Sequence, residues 1–151
     1  MSIPQISKYF QDDHNRLDGL FRTYQTLKLS AVKQAVDAFK TFQWGLERHI
    51  VWEEELLFPL FEAKTGMRDS GPTVVMRMEH REIRETLSAI REKVERQNLR
   101  TEIEEATLLT VLGAHNQKEE TILYPMTDHL ANDAERADIF ERMKQYPIQK
   151  I

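Results

Sequence analysis

HIVWEEELLFP, residues 49–59, decides how the rest of this chain is read. As a helix it sets His49 and Glu53 one turn apart on the stripe that also carries Leu46, Leu56 and Leu60. A stripe this apolar points inward. The helix therefore buries an imidazole and a carboxylate together, which desolvation penalises unless something compensates.

The flanking sequence is helical in pattern throughout, and no alternation of period two competes. A first helix is expected from about Ile3 to Leu29, with Pro4 in its first turn and Ile6, Phe10, His14, Leu17, Phe21 and Tyr24 inward. Ser30 is the expected N-cap of the second, whose inward stripe is Val32, Ala35, Phe39, Phe42, Leu46, His49, Glu53, Leu56 and Leu60, closed by Gly66. The third starts near Ser70–Pro72 and turns Thr73, Met76, His80, Ile83, Leu87, Ile90 and Val94 inward. The fourth starts near Thr101 with Leu108, Leu112, His115, Glu119, Ile122 and Met126 inward. Asn132 and Glu135 form a capping-box signature for a short fifth helix ending before Pro147. Pro59 and Pro125 are expected to kink or end their helices, with no chemical role. The fold expected is all-α: an up-down-up-down four-helix bundle over about 3–130 and a C-terminal helix over about 133–146, in one domain spanning 1–151.

Six polar residues lie on these inward stripes: His14, His49, Glu53, His80, His115 and Glu119. Helices joined by a tight turn bring together residues equidistant from it. His14 and His49 are equidistant from Ser30–Ala31, His49 and His80 from Thr65–Gly66, and His80 and His115 from Gln97–Asn98. Caps and breaks in the stripes mark those turns independently. All six side chains therefore fall in one layer, about 25 Å from the turns at the helical rise.

The chain also repeats weakly at one fixed offset, which takes His14 to His80, His49 to His115, Glu53 to Glu119 and Pro59 to Pro125. HIVWEEELLFP aligns with HNQKEETILYP, and DHNRLDGLF with EHREIRETL. Two similar hairpins about a pseudo-twofold axis are implied. Asp13 and Glu79 obey the offset and read equally as carboxylates that orient imidazoles or as a solvated flank. His129, the fifth histidine, lies too far along its helix to join the layer and reads as a helix-terminal residue. Trp44 and Trp52 read as packing residues, and Gly45, one turn before His49, as an opening toward the layer.

Composition excludes several classes. The chain has no cysteine, hence no disulfide, thiolate metal site or cysteine nucleophile. A formal charge of −4 without a Lys/Arg cluster argues against a nucleic-acid partner or an anionic membrane surface. Apolar runs are too short to span a bilayer, and MSIPQISKYFQDDH lacks a signal pattern, so a cytoplasmic location is expected.

One HxxxE alone is weak evidence, but four imidazoles and two carboxylates in one buried layer call for compensating cations. Mixed imidazole and carboxylate donors suit iron, manganese or zinc. Two carboxylates from opposite hairpins can each bridge a metal pair.

His14, the HxxxE of His49 and Glu53, His80, and the HxxxE of His115 and Glu119 resemble the hemerythrin-like HHE cation-binding domain over roughly residues 5 to 127. The resemblance implies a non-haem pair of iron ions, oxo- or hydroxo-bridged. Glu53 and Glu119 would bridge, His14 and His49 would serve one iron, and His80 and His115 the other. The oxygen carriers of the family have a further histidine where this chain has Arg84, and HxxxxD where it has HxxxE. The four-His, two-Glu set is more similar to proteins that repair iron centres under nitrosative and oxidative stress. Those carry an additional cysteine-containing N-terminal segment, which these 151 residues do not contain. Arg84 reads as a flanking residue beside a missing imidazole. The expected function is binding or sensing of oxygen, nitric oxide or peroxide, or holding iron for donation. A di-iron oxidase or peroxidase is the alternative, and an interaction protein with a structural metal the second.

Overall fold

The computed structural model describes residues 5–150. The expected helix start at Ile3, and Pro4 in its first turn, lie outside the described residues. The elements are α1 (Ile6–Leu27), α2 (Val32–Trp52), a first π-helical turn (Glu53–Leu57), α3 (Phe58–Thr65), α4 (Pro72–Glu95), α5 (Glu102–Lys118), a second π-helical turn (Glu119–Leu123), α6 (Tyr124–Leu130) and α7 (Asp133–Met143). The rods α1, α2–α3, α4 and α5–α6 form the up-down-up-down bundle, and α7 packs across its end. No described helix is long and apolar enough to cross a membrane.

Each turn has a local cause. Gly66 ends α3 at φ 77, a left-handed conformation that glycine adopts without a Cβ penalty. Pro72 opens α4 where its missing N–H costs nothing. Asn132 and Glu135 make the reciprocal capping box on α7. The N-cap of α2 is Ala31 rather than Ser30: Ser30 and Ala31 both donate to Leu27 O, and the helix starts one residue later than expected. The first turn of α1 is capped from a distance, with Ile6 N and Ser7 N each donating to the Asp128 carboxylate at 2.8 Å.

The inward positions expected for α1 and α4 are all buried. Those of the other two rods agree through Leu56 and Glu119 and then slip by one residue. Leu57 and Phe61 are fully buried whereas Leu60 is only half-buried; Leu123 is buried while Ile122 is 50% exposed; Thr127 replaces Met126. Val32, also expected inward, is exposed at the first position of α2. The slip has one cause. A proline cannot donate to the carbonyl four residues back, and its ring clashes with that carbonyl. Instead of ending at Pro59 and Pro125, both helices widen by one residue ahead of them. Phe58 N donates to Glu53 O and Tyr124 N to Glu119 O. Both π-turns begin at the layer glutamates themselves, so the prolines shape the site and are not mere stop signals.

Two apolar clusters enclose the polar layer. One contains Phe21, Tyr24, Phe39, Phe42, Leu87 and Leu108; the other contains Phe10, Trp52, Phe58, Phe61, Tyr124 and Met143. Trp52 donates from Nε1 to Met143 O at 3.2 Å and ties α7 to the second cluster.

Asp128→Ala removes both acceptors from the α1 terminus and should lower stability by about 1–2 kcal/mol. Urea denaturation measures it; an unchanged midpoint would remove Asp128 from the account.

Candidate metal centre

All six layer residues are buried, and the structure brings them together as two overlapping groups. His14, His49, Glu53 and Glu119 form one, and His80, His115, Glu53 and Glu119 the other; within each group the available ligand atoms lie within 4.8 Å of one another. Both glutamates belong to both groups. Nε2 of His80 is 3.1 Å from Glu53 Oε1, and Nε2 of His115 is 3.2 Å from Glu119 Oε1. Nε2 of His14 is 3.3 Å from Glu119 Oε1, and that of His49 is 3.7 Å from Glu53 Oε2.

The outer nitrogens are each held by a carboxylate. Nδ1 of His14 donates to Glu120 at 2.8 Å, of His49 to Asp13 at 2.8 Å, of His80 to Glu54 at 2.8 Å, and of His115 to Glu79 at 3.0 Å. An ionised carboxylate only accepts, so each keeps the proton on Nδ1 and turns Nε2 toward the centre. This decides Asp13 and Glu79 in favour of the orienting role. Glu54 and Glu120, which were not anticipated, also correspond under the fixed offset. Several of these carboxylates are braced in turn: Asp13 by Arg16 at 2.9 Å, Glu79 by Lys118, and Glu54 by Arg84 at 3.3 Å. Arg84 therefore borders the site through Glu54, with its other contact to Glu47 at 2.7 Å. Gly45 opens no path. A Cβ there would meet Leu17 Cδ2 at 2.8 Å, so the glycine serves close packing of α1 on α2. His129 is exposed in the last turn of α6, outside the layer.

Tyr124 was not anticipated either. It is fully buried, and its hydroxyl donates to Glu53 Oε2 at 2.6 Å. The same oxygen is 3.1 Å from Glu119 Oε1 and 3.2 Å from Nε2 of both His14 and His49. The π-turn causes this, because a residue five positions after Glu119 shares its face only in the widened register. The partner position under the offset is Phe58, whose ring stacks on His80 at 5.6 Å.

A model of the hemerythrin HHE cation-binding domain matches residues 5–145. The chain belongs to that family. Among curated proteins, the iron-sulfur cluster repair protein YtfE of Edwardsiella ictaluri (strain 93-146) is 48% identical to this hemerythrin-type domain over 92 residues, covering 57% of the chain and 42% of the relative. The chain thus spans less than half of that relative's length. No solved structure matches.

The donor set fits a cation on grounds of its own. Glu119 Oε2 is buried with no hydrogen-bond partner, which a closed protein interior rarely tolerates. Without metal, protons offset the charge. Burial disfavours the His49 imidazolium, yet Glu53 and Asp13 raise its pKa to about 10, and Glu53 with Glu54 raises that of His80 to about 9. His115 is raised by Glu119 despite the same burial. Burial opposes ionisation of Glu53, but His49 and its hydrogen bonds hold its pKa well below the usual value. Burial and the two layer carboxylates push the Tyr124 phenol well above its usual range. The metal-free layer is thus a proton-filled version of a cation site.

These shifts set a pH dependence. His49 and His80 carry higher pKa values folded than the ordinary 6.5, so their contribution is complete below about pH 6.5 and is lost as pH rises through 9 to 10. The melting temperature of the metal-free protein should therefore fall across that interval, and metal should flatten the fall. A metal-free melting temperature that holds steady from pH 6.5 to 10 would contradict the charged layer.

Proposed function

We propose that this chain is a non-haem di-iron protein that serves iron-centre maintenance under oxidative or nitrosative stress. It would take up a small ligand (oxygen, nitric oxide or peroxide) or hold iron for donation. One observation carries the di-iron reading: two buried histidine pairs share the same two buried carboxylates. His14 and His49 would hold one ion, His80 and His115 the other, with Glu53 and Glu119 common to both. The role in maintenance is supported by the likeness to a protein whose name is iron-sulfur cluster repair. A cytoplasmic site of action is part of this proposal.

The iron pair would supply Lewis acidity and redox reactivity toward small ligands. The chain's own residues do the rest. Asp13, Glu54, Glu79 and Glu120 hold each imidazole in the tautomer that leaves Nε2 free to exchange a proton for a cation. The two apolar clusters exclude water above and below, which strengthens every charge interaction in the layer. Glu120 connects the layer to a groove between α1 and α5 lined by Asn15, Asp18, Arg22, Gly113 and Asn116. At the same offset the positions of Asp18 and Gly113 are taken by Arg84 and Glu47, which pair at 2.7 Å. The groove brings solvent to the Glu120 carboxylate that holds His14.

Aerobic reconstitution followed by elemental analysis should find two iron ions per chain. Glu53→Ala and Glu119→Ala should each leave at most one firmly held ion, while His129→Ala keeps both. One ion or none in the unmodified protein, or full occupancy in either glutamate variant, would sink the shared-carboxylate reading; manganese or zinc taken up in preference would sink the assignment to iron alone.

A further inference from the structure

The pseudo-twofold axis relates almost every polar group of the layer: the four histidines, the two central glutamates and the four outer carboxylates each have a counterpart at the same offset. It fails at the centre. Tyr124 presents a hydroxyl to the His14–His49 half, whereas Phe58 presents only a ring face to the other. We infer that Tyr124 is a fifth protein ligand, a phenolate, to the cation held by His14, His49, Glu53 and Glu119, and that the His80–His115 half keeps the corresponding position open for an exogenous ligand. This rests on the dinuclear reading above.

The geometry is that of a ligand rather than of a neighbour. Donors at right angles around one metal, with bonds of about 2.0–2.2 Å, stand about 3 Å apart. The Tyr124 oxygen is 2.6, 3.1, 3.2 and 3.2 Å from donor atoms of all four members of its group. An oxygen about 3 Å from four donors at once occupies the position that caps them. A tyrosine that only braced one carboxylate would need a single short contact. Phenolate also suits a trivalent, oxygen-preferring ion and lowers the net charge of that half by one. The O–H bond is replaced by an O–metal bond, and the proton leaves to solvent, as those of the imidazoles do; a bound cation favours that loss.

The position is also built. The π-turn at Glu119–Leu123 brings Tyr124 onto the Glu119 face, and Phe10 packs against the phenol ring at 5.3 Å. The equivalent π-turn at Glu53–Leu57 places Phe58 in the matching position, flat against His80. Both halves have the same backbone device, and only one carries an oxygen. An incoming small ligand would meet five protein donors in one half and four in the other.

Reconstituted, oxidised protein tests this through its spectrum and its iron count. A phenolate-to-iron(III) charge-transfer band, with tyrosinate ring vibrations in resonance Raman, is expected in the unmodified chain. Tyr124→Phe should keep two ions, since four donors per ion remain, and should lose both signals. Azide should perturb the spectrum of the unmodified protein with one anion per pair, and Tyr124→Phe should admit a second. Should Tyr124→Phe not fold, ring-deuterated tyrosine in the unmodified protein decides: shifted vibrations support ligation, unshifted ones refute it. Two bound ions with no phenolate band, or a band that survives Tyr124→Phe, overturns the inference and leaves the di-iron reading standing; no bound iron overturns both.

Discussion

Two fully buried carboxylates, Glu53 and Glu119, face each other's histidines in a layer from which water is excluded. Leaving either charge uncompensated would cost several kcal/mol, a large share of the stability of a domain this size. Everything around the pair answers that constraint. Four imidazoles converge on it because an imidazole can carry either a proton or a metal. Four outer carboxylates hold those imidazoles, and Arg16, Arg84 and Lys118 hold outer carboxylates in turn. Charge alternates outward from the centre, negative, positive, negative, positive, until the last groups meet solvent.

The backbone makes its own concession to this layer. Pro59 and Pro125 forbid the α-helical register ahead of them, and the chain answers by inserting a π-turn that starts at each central glutamate. The extra residue rotates the remainder of each rod. It turns Leu57 and Leu123 into the second apolar cluster and brings the residue before each proline toward the layer. A straight helix with the same glutamates would have faced Ile122 and Met126 inward and left Tyr124 elsewhere.

Near-symmetry makes the departures informative. The offset preserves the six layer residues, the four outer carboxylates, the prolines and both π-turns. It does not preserve Tyr124 against Phe58, nor the Arg84–Glu47 pair against Asp18 and Gly113. The first difference distinguishes the two halves from inside, the second from outside, where one face carries an ion pair and the other a groove. A fold built from two similar hairpins can thus present two chemically unlike halves while keeping one shared core.

Periodicity and spacing along the chain were enough to define the helices, the turns between them and the six residues of the layer. Helical periodicity is a local property, and equidistance from a tight turn rests on the fixed rise per residue. Those inferences held up to Leu56 and Glu119 and slipped by one residue beyond them, because they assumed an unbroken α-helical period. Proline at a fixed distance after each glutamate was the available sign of the π-turn, and it read instead as a stop. Glu54 and Glu120 were visible in the repeat as well, but a carboxylate next to another carboxylate looks like surface until a histidine nitrogen is seen against it. Packing of the rods was needed to place the Tyr124 hydroxyl among four donors from three of them, since that depends on how each rod is rotated about its own axis. Packing also set Arg84 against Glu54 and gave Gly45 its place between α1 and α2. Such roles depend on distances between segments far apart in the chain, which no local pattern encodes.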